Sequence, residues 1–148
     1  MRLLTCTGLG FLLAVLWFDL MFDVQASKFR TDQVPDNVRE SIATYYARVT
    51  TSARPMNLAV ALMMLVTLSS EIVTMIESQI SLWRSLVTVI LTLGAIGLAA
   101  THTVPAAKRI GTRIDGAEQH SLLIRSVLRD HRICFVTLLV VLLLQLVG

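Results

Sequence analysis

The chain has 148 residues, of which 55% are hydrophobic and only 16% charged, with a formal net charge of +3. Soluble domains average about 25% charged residues, so this chain has too few polar groups to cover a globule, which excludes a water-soluble monomer. High hydrophobicity with low net charge excludes intrinsic disorder as well.

The first apolar stretch, Leu3–Phe22, is long enough at about 1.5 Å per residue to cross a hydrocarbon layer about 30 Å thick. It carries Asp19 near its end, and Asp23 follows one turn later on the same face. Arg2 before it and Val24-Gln25-Ala26 after it also fit the flanks of a cleavable signal peptide, a reading that the charge distribution below argues against. Pro35-Asp36-Asn37 is a helix-start signal, and Val38, Ile42, Tyr45, Tyr46 and Val49 then fall on one stripe. This pattern predicts an amphipathic helix lying in the membrane interface before Pro55 opens the second span.

The second span, Met56–Ile76, has Asn57 at one end and Glu71 near the other, beside Ser69 and Ser70. Glu71 is expected to be an interfacial acid bonded to those serines or to water. The third, Leu86–Val104, closes with His102 ahead of Pro105. The apolar part of the fourth, Ile133–Val147, is short, but no Pro or Gly interrupts 117–147, and Asp115 and Glu118 have capping-box spacing. A continuous helix of about 30 residues, about 45 Å long, is expected there. Its membrane part is 128–147 and its first part projects from the bilayer. The fold expected is thus an all-α membrane protein: one domain of four transmembrane helices in an up-down bundle, with spans near 3–22, 56–76, 86–104 and 128–147.

Eleven of the 13 Lys and Arg residues lie in the connecting segments 23–55 and 105–132, leaving Arg2 and Arg84 for the other side. The positive-inside rule makes both segments cytoplasmic and both termini non-cytoplasmic, as for a protein of a bacterial cytoplasmic membrane. Signal peptidase acts on the outer face, so cleavage after Ala26 does not fit. The pI near 9.3 then reflects topology and attraction to anionic lipid, and no nucleic-acid motif suggests a nucleic-acid partner. Gly10 with Ala14, and Ala95 with Ala99 beside Gly94 and Gly97, have the small-xxx-small spacing of helix-packing seams.

Ionisable groups in a membrane segment are candidates for function. Depth along the helices places Asp19, Asp23, Asn57, His102 and His131 in one layer near the cytoplasmic ends. The competing interpretation is a set of ordinary helix ends with the two Asp paired to Lys or Arg. If the layer is a site, His131 or His102 is the base and Asp19 a carboxylate partner. Trp17, Asp23, Asn57, Arg129 and Arg132 would contact a ligand, with Phe18 and Phe22 as further apolar walls. No metal is expected, because Glu-x-x-His pairs are absent and Arg129 and Arg132 flank His131. No haem attachment motif, phosphate loop or G-x-S-x-G occurs, and no cofactor is expected. Cys6 and Cys134 belong to opposite ends of the bundle, about 20 Å apart, beyond disulfide reach.

Several short motifs occur in a telling order. Gly10-Phe11 lies in the first span, Tyr45-Tyr46 leads to Arg54-Pro55, Thr101-His102-Thr103-Val104-Pro105 closes the third span, and Asp130-His131-Arg132 enters the fourth. The layout resembles the small four-helix membrane proteins related to anthrone oxygenases. Ala107 stands where that pattern has an Asn, and Asp19 and Asp23 make the first span more polar than the pattern. The resemblance implies a membrane-embedded oxygenase working without a cofactor. Two functional readings follow: a small oxygenase-like enzyme or binder of an amphipathic aromatic or quinone-like ligand, or a non-catalytic subunit that binds a membrane protein or a second copy through small-residue helix faces.

Overall fold

A computed structural model describes residues 2–29, 33–52, 54–77 and 81–147. Arg30, counted among the basic residues above, lies outside them. The described residues form helices α1 (Arg2–Asp23), α2 (Asp36–Ala47), α3 (Arg54–Glu77), α4 (Leu82–Leu98), α5 (Val104–Thr112) and α6 (Ala117–Val147), and none of them is in a strand. A 3-10 turn, Val24–Lys28, follows α1, and wide π turns at Arg48–Ser52 and Ala99–Thr103 follow α2 and α4.

Four helical stretches are long and apolar enough to cross a membrane: Arg2–Lys28, Pro55–Glu77, Leu82–Thr112 and Ala117–Val147. They make a four-helix bundle in which α1 and α4 each pack against both α3 and α6. The bundle core is formed by Leu9, Leu12, Leu13, Ala95, Cys134, Leu138 and Val141. Large apolar side chains such as Leu58, Trp83, Val136 and Leu146 point outward, a surface suited to hydrocarbon. Arg2 Nε donates to the Gln145 carbonyl (2.6 Å) and Arg84 Nη2 to that of Leu144 (3.1 Å). Both satisfy carbonyls that the last turn of α6 leaves without helical partners.

A second core stands at the other end, where Ile42, Ala43 and Tyr46 of α2 meet Ala106, Ala107 and Ile110 of α5 and Ile124 and Val127 of α6. Val34 N donates to Ser121 Oγ and Arg125 Nη1 to the Phe29 carbonyl, both at 3.1 Å, which ties the first connecting segment to α6.

Several expectations need correction. The helix of the third span does not stop before Pro105. The π turn at Ala99–Thr103 passes the chain into α5, where Pro105 takes a first-turn position whose N–H needs no helical partner. The apolar stripe of α2 faces protein: Ile42 and Tyr46 are buried, and Val38, Tyr45 and Val49 pack on the second core. Asp115 does not cap α6, because both its oxygens accept from Arg109 (2.6 and 2.8 Å).

Nor do the small-residue seams lie where their spacing suggests. A methyl group on Gly10, Gly94 or Gly97 would meet nothing within 4 Å, and Ala14 is exposed. Ala95 alone of the seam residues belongs to the bundle core. The close approach occurs instead at Gly8, where a Cβ would overlap Thr67 Oγ1 of α3, and at Gly111, where it would lie 2.8 Å from the Ala47 backbone nitrogen.

Candidate functional site

The two cores meet at a layer of buried polar side chains. Asp19 and Asp23, one turn apart on α1, face the adjacent tyrosines of α2 and His131 of α6. Tyr46 Oη donates to Asp23 Oδ1 (2.7 Å), and His131 Nδ1 bonds Asp23 Oδ2 (2.6 Å). Both oxygens of Asp23 are therefore engaged, and its side chain is fully buried. Tyr45 Oη donates to Asp19 Oδ1 (2.6 Å), while Asp19 Oδ2 lies 3.9 Å from His131 Nε2. That separation suits an ion pair when the imidazole is protonated and is too long for a direct hydrogen bond.

Local sequence explains how each group arrives. The adjacent tyrosines turn about 100° apart on α2, so Tyr46 enters the second core while Tyr45 lies across the end of α1. The Tyr45 ring stacks on Phe22 with centroids 4.0 Å apart and an interplanar angle of 10°. Burial first, and then the carboxylate each one faces, raise both phenols above the ordinary tyrosine range. They remain protonated donors through the physiological range.

A second pair lies next to the first. The π turn presents both His102 and Thr103 to Asp130, whose Oδ2 is bonded by His102 Nδ1 and lies 3.4 Å from Thr103 Oγ1. Arg129 Nη2 approaches Asp130 Oδ1 at 3.2 Å. His102 remains half exposed, whereas Asp130 is buried. A wide turn of this kind adds a residue to the helical circuit and re-aims side chains.

Of the residues singled out from the sequence, the structure brings together Asp19, Asp23 and His131. His102 joins the neighbouring Asp130 pair rather than the His131 cluster. Arg129 reaches Asp130 from the surface. Asn57 and Arg132 are exposed and outside this hydrogen-bond network, so the second span adds no Asn57 contact to the layer. Trp17 is 57% exposed, with its ring centroid 6.1 Å from that of Phe135. The partners of Asp19 and Asp23 are tyrosines and a histidine, in place of the Lys and Arg of the competing interpretation. Glu71 faces protein, and its partner is neither a neighbouring serine nor water: it is 2% exposed and accepts a hydrogen bond from Thr92 of α4 (3.1 Å).

No family model, curated protein or solved structure matches this chain. The chemistry must be read from the geometry.

When Nδ1–H of His131 is donated to a buried carboxylate, Nε2 is the ring nitrogen left to exchange a proton, and the carboxylate steadies the imidazolium that results. Tyr46 keeps Asp23 in position for this. Asp19, with 17% of its side chain exposed, forms the outer edge of the cluster. The arrangement can take up and release a proton at a fixed atom. Sequence reasoning passed over Tyr45, Tyr46 and Asp130 as site members. Two signals were available: a Tyr-Tyr pair on the buried stripe of an amphipathic helix, and an Asp entering an apolar helix beside a His.

Proposed function

We propose that this protein is an up-down four-helix protein of a bacterial cytoplasmic membrane, with both termini outside, that binds an amphipathic aromatic or quinone-like molecule at the inner boundary. His131 Nε2 acts there as its proton acceptor. The observation that carries the proposal is the His131–Asp23–Tyr46 chain: a buried imidazole held in one orientation, with its free nitrogen turned toward a second carboxylate. In the reaction, an acidic O–H or activated C–H of the bound aromatic gives its proton to Nε2, leaving the ligand as an anion and Asp23 beside the imidazolium. The resemblance of the motif order to that of anthrone-oxygenase-like proteins supports such a ligand. The topology draws on the distribution of basic residues and on the contacts of Arg2 and Arg84 with the end of α6. In this arrangement α2 sits at the membrane boundary with its polar face outward.

The test is mass spectrometry of small molecules retained in mild detergent, followed by titration of a soluble hydroxynaphthoquinone, whose O–H supplies the acidic proton, against the wild type and His131→Gln between pH 6 and 8. Loss of the pH dependence in the variant, with folding intact, is expected, because glutamine keeps a hydrogen bond but exchanges no proton in that range. Unchanged affinity and pH dependence in His131→Gln would overturn the reading.

The outward small residues Gly10, Ala14, Gly94 and Gly97 favour a second reading, a non-catalytic subunit that packs against another membrane helix. Under that reading Gly97→Leu abolishes function while Asp19→Asn and His131→Gln do not. The proton-acceptor reading requires the reverse.

A further inference from the structure

At the opposite end of the bundle, Glu71 sits in a second buried polar cluster that plays no part in the His131 site. Its Oε1 accepts from Thr92 Oγ1, but its Oε2 has no hydrogen-bond partner, and neither does Thr67 Oγ1, one turn earlier on the same helix. Glu71 is 2% exposed, and Thr67 and Thr92 are both 0% exposed. The same face of α3 carries Ser70, whose hydroxyl pairs with Thr5 of α1 at 2.8 Å. Side-chain oxygens of α1 and of α4 thus each meet the polar face of α3 inside an otherwise apolar bundle.

The charges around this cluster are engaged elsewhere. Arg2 of α1 and Arg84 of α4 are the basic residues of this end, and both donate to carbonyls in the last turn of α6. Among the described residues no Lys, Arg or His forms an ion pair with Glu71. An ionised carboxylate in an apolar interior is costly enough that it takes up a proton or binds a cation. Protonation alone leaves Thr67 Oγ1 unanswered, since that oxygen makes no hydrogen bond to Glu71. A hard monovalent cation accepts several uncharged oxygens along with one carboxylate, and the hydroxyls of Thr67 and Thr92 beside Glu71 are oxygens of that kind.

We propose that Glu71, Thr67 and Thr92 form a sodium-binding site in the terminal half of the bundle, in which Na+ displaces the proton of Glu71. Glu71 lies six residues, about 9 Å along the helix, from the end of α3, so the ion enters from the side that carries the chain termini.

The experiment uses the full chain in detergent with dicyclohexylcarbodiimide, which modifies protonated carboxyls in apolar surroundings, in choline chloride against sodium chloride at constant ionic strength. Glu71 should be labelled in choline and protected at least fivefold by millimolar Na+, with K+ much weaker. Thr67→Val, which preserves shape, should still be labelled but lose the Na+ protection, and Glu71→Gln identifies the labelled residue. Labelling of Glu71 that is indifferent to Na+, or Na+ protection that survives Thr67→Val, would overturn the proposal. So would a Glu71 left unlabelled in choline.

Discussion

Asp23 and Glu71 are both carboxylates buried inside the same bundle, yet their surroundings differ in kind. Asp23 receives two hydrogen bonds, from Tyr46 and His131, and each donor comes from a different helix. Glu71 receives one, from a threonine, and leaves its second oxygen and a neighbouring hydroxyl unbonded. Burial alone therefore does not make an acid structural or functional. A fully bonded carboxylate holds helices in place and orients what it touches, whereas a half-bonded one costs stability unless something else binds it.

Removing one acid at a time should separate the two environments most strongly. Asp23→Ala strands a buried imidazole and a buried phenol hydroxyl, and should cost about 3–5 kcal/mol in reversible unfolding in mild detergent. Glu71→Gln keeps the shape and loses no charged partner, so it should change stability by about 1 kcal/mol or less in sodium-free buffer. Equal losses for the two variants would mean that the two acids play the same part.

A smaller effect separates the real close approach between α1 and α3 from the one suggested by spacing. Gly8→Ala drives a methyl group into Thr67 Oγ1 and should lower stability by about 1–3 kcal/mol. Adding Thr67→Ala should restore most of that. Gly10→Ala, two residues away and facing outward, should be neutral or slightly stabilising, because alanine is the better helix former. Thermal midpoints of the three variants decide the matter, and a loss in Gly10→Ala as large as in Gly8→Ala would place the packing face wrongly.

The smallest effect concerns the surface pair Arg109–Asp115. The hydrogen bonds from Arg109, and its charge beside Asp115, hold the Asp115 carboxyl below its ordinary value of 3.8. Folded Asp115 thus binds a proton less readily than the unfolded chain does. Its contribution to stability is complete above that ordinary value and fades as pH falls through the lower, folded one. Wild type should melt slightly above Asp115→Asn at pH 7, and the gap should close in strong acid. A gap that widens on acidification would contradict the sign.

Legibility along the chain followed the range of the interactions involved. α1 and α3 were readable because stretches of about twenty mostly apolar residues, each broken by a single acid, Asp19 or Glu71, admit few alternatives. α2 was readable from Pro35 and its stripe, although the stripe meets α5 and α6 rather than lipid. Pro105 suggested an end to the third helix, because a proline's local effect is to remove one N–H. The wide turn before it, which carries His102 to Asp130, depends on packing against α6. Asp19 and His131 stood out as ionisable residues in apolar helices. Tyr45 and Tyr46 looked like ordinary stripe residues, since nothing near them in sequence announces an acid on another helix.

Helicity, four segments apolar enough to span a bilayer, and the ionisable groups those segments carry are all legible in the order of amino acids alone. These are consequences of composition and of a 3.6-residue period, which operate over one or two turns of chain. The partners emerge from packing: Asp23 with His131 and Tyr46, Asp130 with His102, Gly8 with Thr67, and Glu71 with Thr92. The physical reason is rotational. A mostly apolar helix in an apolar setting has no strongly preferred inward face of its own, so the rotation that points each polar group at its partner is set by the helices packed around it.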